Sequence, residues 1–475
     1  VAELIDIQGD GLGNQLYYPN DIAVDSLGDV YVTSVYDFVF KITPERDMSI
    51  VLDASGDGLG NVLEYPCGVT TDSAGNIYVA GRYSDNVFSI APDGAVDLIM
   101  DASGDGAGNS LDLPSTLEFD AAGNLYVAGQ SSSNVFRVDP GGTVTQIIDA
   151  TGDGAGNTLI GARGLALGPS GNVYVAGFRN LFKITPAGDI SEIFDIADDG
   201  SGIFLDFVRG VAADSQDNVY VSDSSNYIYR IALDGSIAEV MDSTGDGGTF
   251  FGNPLLGAGD LVVDAADNLY VIGTTSNNVF RRTPEGFISQ IAEETGDRLG
   301  NPLSQPNNLA VGADGNVYVS AWLSRNAFRI EGSLAAPTTI EWSLVDTPGN
   351  ACDPQAEGCF GDVEQRYWIS RFEISNAQYA DFLNTVVTGD DIRGLYDENM
   401  GTSIYSGIVE RGLSGAHWYC PIDTRADNPV NYVSFWDAAR RPEFPFANDR
   451  THLLDRGLPS GSPRNGTRNQ RPGAI

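Results

Sequence analysis

Seven acidic, glycine-rich loops hold the residues of this chain best suited to chemistry. The sharpest three read Asp53-Ala-Ser-Gly-Asp-Gly-Leu-Gly-Asn61, Asp101-Ala-Ser-Gly-Asp-Gly-Ala-Gly-Asn109 and Asp149-Ala-Thr-Gly-Asp-Gly-Ala-Gly-Asn157. Weaker copies run from Asp6 to Asn14, Asp195 to Gly202, Asp242 to Gly248 and Glu293 to Asn301. Oxygen-bearing side chains fall at the first, third and fifth places: Asp53, Ser55 and Asp57; Asp101, Ser103 and Asp105; Asp149, Thr151 and Asp153. A glycine follows at the sixth place, and Asn61, Asn109 or Asn157 stands at the ninth. Glu64 and Asp112 occupy the twelfth place of the first two loops. Hard oxygen donors spaced around a glycine that permits a sharp turn are what a Ca2+ loop requires. Calcium is therefore the expected cofactor, since crowded carboxylates repel one another without a cation. The same letters also spell tight turns, the helices that flank an EF-hand are absent, and most copies lack an acid at the twelfth place. A purely structural role for the loops stays open.

The elements that must position these loops form a repeat. The phrase Asn-x-Tyr-Val, with Asp29 replacing Asn in the first copy, places tyrosines at 31, 78, 126, 174, 220, 270 and 318. A period of about 48 residues built from short β-rich runs predicts propeller blades. In the second copy the strands read 68–72, 77–80, 86–90 and 95–100, and Ala91-Pro-Asp-Gly94 is a hairpin turn between the last two. Runs such as Ile77-Tyr-Val are apolar at consecutive positions, which suits a sheet covered on both faces. The tyrosine therefore reads as core. Val1 to Ile7 resembles a fourth strand with no first three, while the seventh copy stops after three, at Ile330. The N-terminal strand is thus expected to complete the last blade, leaving no open edge. The predicted fold is an all-β seven-bladed propeller over residues 1–332, followed by a small α+β segment.

The phrases Asp72-Ser-Ala-Gly-Asn-Ile-Tyr-Val-Ala80 and Asn86-Val-Phe-Ser-Ile-Ala-Pro-Asp-Gly94 resemble NHL-type propeller repeats. The resemblance implies the fold and leaves the ligand open, because that fold hosts binding proteins, lyases and lactonases alike. Lyases of this kind are understood to use histidines at the central mouth. The two histidines here, His417 and His452, lie outside the repeats. A lactonase-like metal site would use Glu, Asn and Asp near the central channel, and the repeats single out no such trio.

The net charge of −39 disfavours nucleic acid and anionic membrane surfaces and favours cations and basic partners. No run of about 18 apolar residues spans a bilayer. Four cysteines are present: Cys67 reads as a small buried residue, Cys352 and Cys359 as a local disulfide, and Cys420 as neither.

Residues 333–338 read as a linker. Beyond it, strands are expected at 340–345 and 365–374, a helix capped by Ser375 and a second capped by Ser434. Arg371-Phe-Glu-Ile-Ser-Asn-Ala-Gln-Tyr-Ala-Asp-Phe-Leu383 and Pro429-Val-Asn-Tyr-Val-Ser-Phe-Trp-Asp-Ala-Ala439 are similar to the formylglycine-generating enzyme, or sulfatase-modifying factor, family. The match covers about 339–440. That family's oxidising members use a cysteine pair with copper in a later part of the domain, so no catalytic residue carries over, and the module reads as truncated and inactive. Residues 441–475 turn arginine- and proline-rich and read as a disordered or aberrant tail.

The sequence thus favours a secreted or cell-surface, monomeric binding scaffold over an enzyme. Its partner would be a protein, peptide or glycan at the propeller mouth, with no nucleic acid and no membrane insertion. Two alternatives remain: a sulfatase-modifying-factor-type enzyme targeted by its propeller, and a propeller hydrolase or lactonase.

Overall fold

In the computed structural model the chain divides into two compact units, Val1–Leu334 and Ala335–Ile475. Residues 1–195, 207–246, 253–284, 286 and 288–331 of the first unit are described, with separate short segments between 342 and 430 of the second. The first unit is a seven-bladed β-propeller of four-stranded antiparallel sheets. Blade 2 is representative: Pro66–Thr71, Ile77–Gly81, Asn86–Ile90 and Val96–Met100, hydrogen-bonded in chain order. The last blade pairs Ala2–Ile5 with Asn326–Ile330, with Ala2 opposite Arg329 and Glu3 opposite Phe328, as the strand count requires. The Asn326 amide also donates to Glu3 at 2.9 Å, so the seam carries a side-chain bond as well as a ladder.

The repeated phrase is a closed hydrogen-bond unit. In blade 2 the Asp72 carboxylate accepts from the Ala74 and Asn76 backbone amides, from the Asn76 side chain at 2.7 Å and from the Tyr78 hydroxyl at 3.2 Å. Tyr31, Tyr126, Tyr220 and Tyr270 donate to Asp25, Asp120, Asp214 and Asp264 in the same way, and Tyr318 donates to Asp314, two residues further along the turn. One carboxylate thus satisfies a turn and a buried phenol together, which explains why Asp, Asn and Tyr recur as a set. Burial and that carboxylate push the Tyr78 hydroxyl up to about 12. Asp29, the exception in the first copy, forms an ion pair with Lys41 at 2.6 Å. Blade 7 has Gly312 where the others have the aspartate, and blade 4 has Gly168. There Asp217 of blade 5 fills the space: its backbone carbonyl accepts from the Tyr174 hydroxyl, and a Cβ on Gly168 would lie 1.9 Å from its Oδ1.

The core lies between blades. Val79, Phe88 and Ile90 of blade 2 pack on Ala23, Tyr31, Val39 and Leu52 of blade 1, and equivalent sets fill the other gaps. Burial on both faces is why the second strands read as unbroken apolar runs. Cys67 is a buried free thiol, as expected, and burial pushes it up to about 12.

In the second unit, Trp342–Val345 pairs with Tyr367–Ser370, and Ile408–Leu413 with Ala416–Pro421. Tyr379, Ala380, Leu383, Met400, Ile408 and Tyr419 form its buried cluster. The Ser434-capped helix, the tail from 441 and Cys352 of the expected disulfide lie outside the described residues.

Candidate functional site: the loop face of the propeller

Antiparallel order within each blade brings two sets of connections to the same end of the ring. These are the acidic loops joining one blade to the next, and the turns between second and third strands. They are stitched together. In blade 2 the Arg82 and Tyr83 amides donate to the Tyr65 and Glu64 carbonyls, and the Asn86 side chain donates to Val62 at 2.9 Å. This end is termed the loop face.

Each acidic loop closes on itself. Asp53 accepts from the Ser55 amide at 2.8 Å and its hydroxyl at 2.5 Å. Asp57 accepts from the Leu59 and Asn61 amides and from the Asn61 side chain at 2.5 Å. Asp101 with Ser103, Asp105 with Asn109, Asp149 with Thr151 and Asp153 with Asn157 repeat the pattern. The bond from Asn61 holds the Asp57 carboxyl below its ordinary value, and the bond from Ser55 does the same for Asp53. Glu64 and Asp112 instead place their backbone amides on Ser84 and Ser132 of the neighbouring turn. Among the described residues no three His, Cys, Asp or Glu side chains are gathered as a metal ion needs. Gly56 shows a further structural duty. Its φ is +60°, and a Cβ there would meet the Asn61 carbonyl at 1.8 Å and the Phe88 ring at 3.0 Å. The loop is therefore packed down onto the third strand of its blade.

Departures from the repeat divide the loop face into two sectors. On blades 7, 1 and 2 the loop tips carry Leu299, Leu12 and Leu59, exposed by 86%, 87% and 88%. The loops entering blades 3 and 4 have Ala107 and Ala155 there. The same three blades present Leu323, Tyr36 and Tyr83 on their second turns, each more than half exposed, where blades 3, 5 and 6 have Ser131, Ser225 and Thr275. Among the described residues elsewhere on this face, exposed apolar side chains come singly, as Ile160 and Leu256. Tyr18 stacks on Trp322 at 5.1 Å, and the Arg325 guanidinium covers both Tyr17 and Tyr18. Asp10 and Asp57, both held ionised by asparagine, rim the patch.

The other sector is cationic. In every blade but the fourth the innermost strand enters the ring with a bulge, so its early residues leave the ladder and are re-aimed; in blade 4 the strand runs Gly164–Leu167 without a shift, and Arg163 stands just before it. Across the seven blades the equivalent residue is Asn20, Cys67, Ser115, Arg163, Arg209, Gly259 and Asn307. Only blades 4 and 5 place a charge there. Arg163 lies over the rings of Phe178 and Phe207, 4.5 Å from each centroid, and Arg209 lies 5.2 Å from Phe207. Each such contact is worth about 0.5–2 kcal/mol. Arg82 reaches from the turn of blade 2 to the Gln130 side chain. Burial, then Arg209 and Arg82, lower the Arg163 guanidinium from its ordinary value.

Between the sectors, the innermost strands place Asp21, Glu118 and Asp260 in blades 1, 3 and 6. Asp21 accepts from the Asn308 side chain at 2.6 Å and the Val69 amide at 2.8 Å, and Asp260 from the Leu309 amide at 2.9 Å. Desolvation pushes these carboxyls up to about 6, 8 and 7 respectively, and Asp21 and Asp260 add to the rise at Glu118. Neither this group nor the arginines stood out along the chain. Both appear only when equivalent positions of the seven repeats are set side by side.

No family model matches the sequence, and no curated protein does. Among solved structures, virginiamycin B lyase from Staphylococcus aureus matches with a TM-score of 0.51 and 15% identity, over 68% of this chain and 96% of that one. A Kuenenia stuttgartiensis hydrazine synthase chain matches at 0.50 and 15%, over 69% and 99%. The extracellular domain of a hybrid two-component system protein from B. thetaiotaomicron matches at 0.50 and 13%, over 70% of this chain and 40% of that one. These likenesses are of fold.

Proposed function

We propose that this chain is a non-catalytic binding scaffold, secreted or held at a cell surface, that works as a monomer. Blades 7, 1 and 2 capture a partner segment carrying aliphatic or aromatic anchors flanked by lysine or arginine. The observation that carries this reading is the doubled apolar sector, in which three exposed leucines and three exposed turn residues share contiguous blades inside a rim of ionised aspartates. Large contiguous apolar patches with polar rims mark interaction sites, and the −39 charge selects a basic partner. The absence of histidine from residues 1–334 supports the non-catalytic reading. By contrast, a histidine-to-alanine variant of the structurally similar virginiamycin B lyase is catalytically inactive. Within the same proposal the repeats are of NHL type, calcium adds stability to the acidic loops, and the sulfatase-modifying-factor-like segment is a truncated, inactive module. The test is fluorescence anisotropy with a labelled peptide alternating leucine and lysine, against an all-lysine peptide of equal charge. The account expects preference for the leucine peptide; equal binding of both would remove it.

A second reading, a propeller hydrolase or lactonase, draws support from Asp21, Glu118, Asp260 and Asn308 on the innermost strands. It requires hydrolysis of a simple lactone that is stimulated by a divalent cation and lost in Glu118→Gln.

A further inference from the structure

We propose that Arg163, Arg209 and Arg82 form a second binding site, for an oxyanion carried on a flat or apolar body. The chain holds 65 acidic residues against 26 basic ones, yet among the described residues no carboxylate pairs with any of these three arginines. Like charges gathered without counter-charge oppose folding, and such clusters concentrate at functional sites, where a ligand of opposite sign supplies the counter-charge.

The geometry is that of a prepared receptor. Two phenylalanine rings fix the Arg163 guanidinium, and Arg209 shares one of them. The Arg163 amide is tied to the Ala176 carbonyl, and its own carbonyl accepts from the Thr116 hydroxyl at 2.6 Å. The backbone is thus anchored on both sides. The Arg163 Nε is buried with no hydrogen-bond partner, while Arg209 remains exposed. A guanidinium seated against two rings loses little freedom on binding and offers its fork to a carboxylate or phosphate. The Phe178 and Phe207 rings, with centroids 4.9 Å apart, add an apolar surface for whatever bears the anion. Three departures from the repeat, at Arg163, Arg209 and Phe178, coincide on two adjoining blades outside the leucine sector, and Arg82 is added from blade 2, beside Tyr83. The arginine pair and its rings are thus argued without the partner proposed above.

The experiment is isothermal titration of the full chain with sodium benzoate and, separately, with inorganic phosphate. Benzoate should bind saturably, with a dissociation constant on the order of a millimolar, and more tightly than phosphate. Arg209→Gln, at an exposed position, should weaken benzoate about tenfold through loss of a charge-assisted bond. Arg163→Lys, which keeps the charge but loses the fork, should also weaken it. Arg46→Gln, an exposed arginine on the opposite face, should leave it unchanged. Absence of saturable binding would overturn the proposal. Equal benzoate affinity in Arg209→Gln, Arg163→Lys and Arg46→Gln would do so too. Because neither arginine carries the ring's core, a far-ultraviolet spectrum matching the parent separates loss of site from loss of fold.

Discussion

On blades 7, 1 and 2 the loop face ends in Leu299, Leu12 and Leu59 beside ionised aspartates, whereas blades 2, 4 and 5 contribute Arg82, Arg163 and Arg209 around two phenylalanines. Both sectors are built on one repeat and share its loops, turns and buried phenols. Symmetry supplies the frame through residues that recur, such as Asp72, Asn76 and Tyr78. Recognition is left to the positions where the repeat departs from itself. In a ring of near-identical blades, function is sought in exceptions.

The largest effect should come from the leucines. Replacing Leu12, Leu59 and Leu299 together by serine removes side chains that contact little in the free protein, so the melting temperature should hold. Affinity for the leucine–lysine peptide should fall by roughly a hundredfold or more, since covering each of the three leucines is worth about 1 kcal/mol or more. Benzoate binding should not change. Next, Arg209→Gln should cost benzoate about tenfold and leave the peptide unaffected. A variant that damages both ligands would merge the two sectors into one site.

A smaller effect concerns the acids between the sectors. Asp21, Glu118 and Asp260 keep their protons to about pH 6, 8 and 7 in the fold, but ionise near pH 4 when unfolded. The native state therefore binds more protons over that window. Stability is highest near pH 4 on this account and falls as pH rises through 6 to 8. Glu118→Gln should flatten the fall and gain about 1–2 kcal/mol at pH 8.5, discounted for solvent contact. Chemical denaturation at pH 5 and 8.5 checks it, and parallel curves for parent and variant would contradict it.

The smallest effect is expected from calcium. The aspartates of the acidic loops already accept amide and side-chain hydrogen bonds, so millimolar Ca2+ should raise the melting temperature by only a degree or two. An identical melt in excess chelator would remove calcium from the account.

Much of the frame was legible in the sequence. The tyrosine period gave seven blades, the unmatched ends gave the closing strand, and Cys67 was read as buried. The loop residues Asp53 to Asn61 were located correctly as a repeated set, but their spacing could not show whether the carboxylates turn inward to a cation or back onto their own amides. Arg163 and Arg209 escaped notice because each is an isolated cation along the chain. Only closure of the ring, which sets the entries of blades 4 and 5 side by side, brings them together with Phe178 and Phe207. Nor does the chain show that Asp217 of the next blade occupies the space left at Gly168, since the two are neighbours only across blades.

The central claim is that the loop face holds two separate sites of opposite character. The direct measurement is a two-ligand titration, with the leucine–lysine peptide added to protein saturated with benzoate, repeated in the leucine triple variant and in Arg209→Gln. The account predicts unchanged peptide affinity in the presence of benzoate, and loss of one ligand only in each variant. Displacement of benzoate by the peptide, or loss of both ligands in either variant, would contradict it.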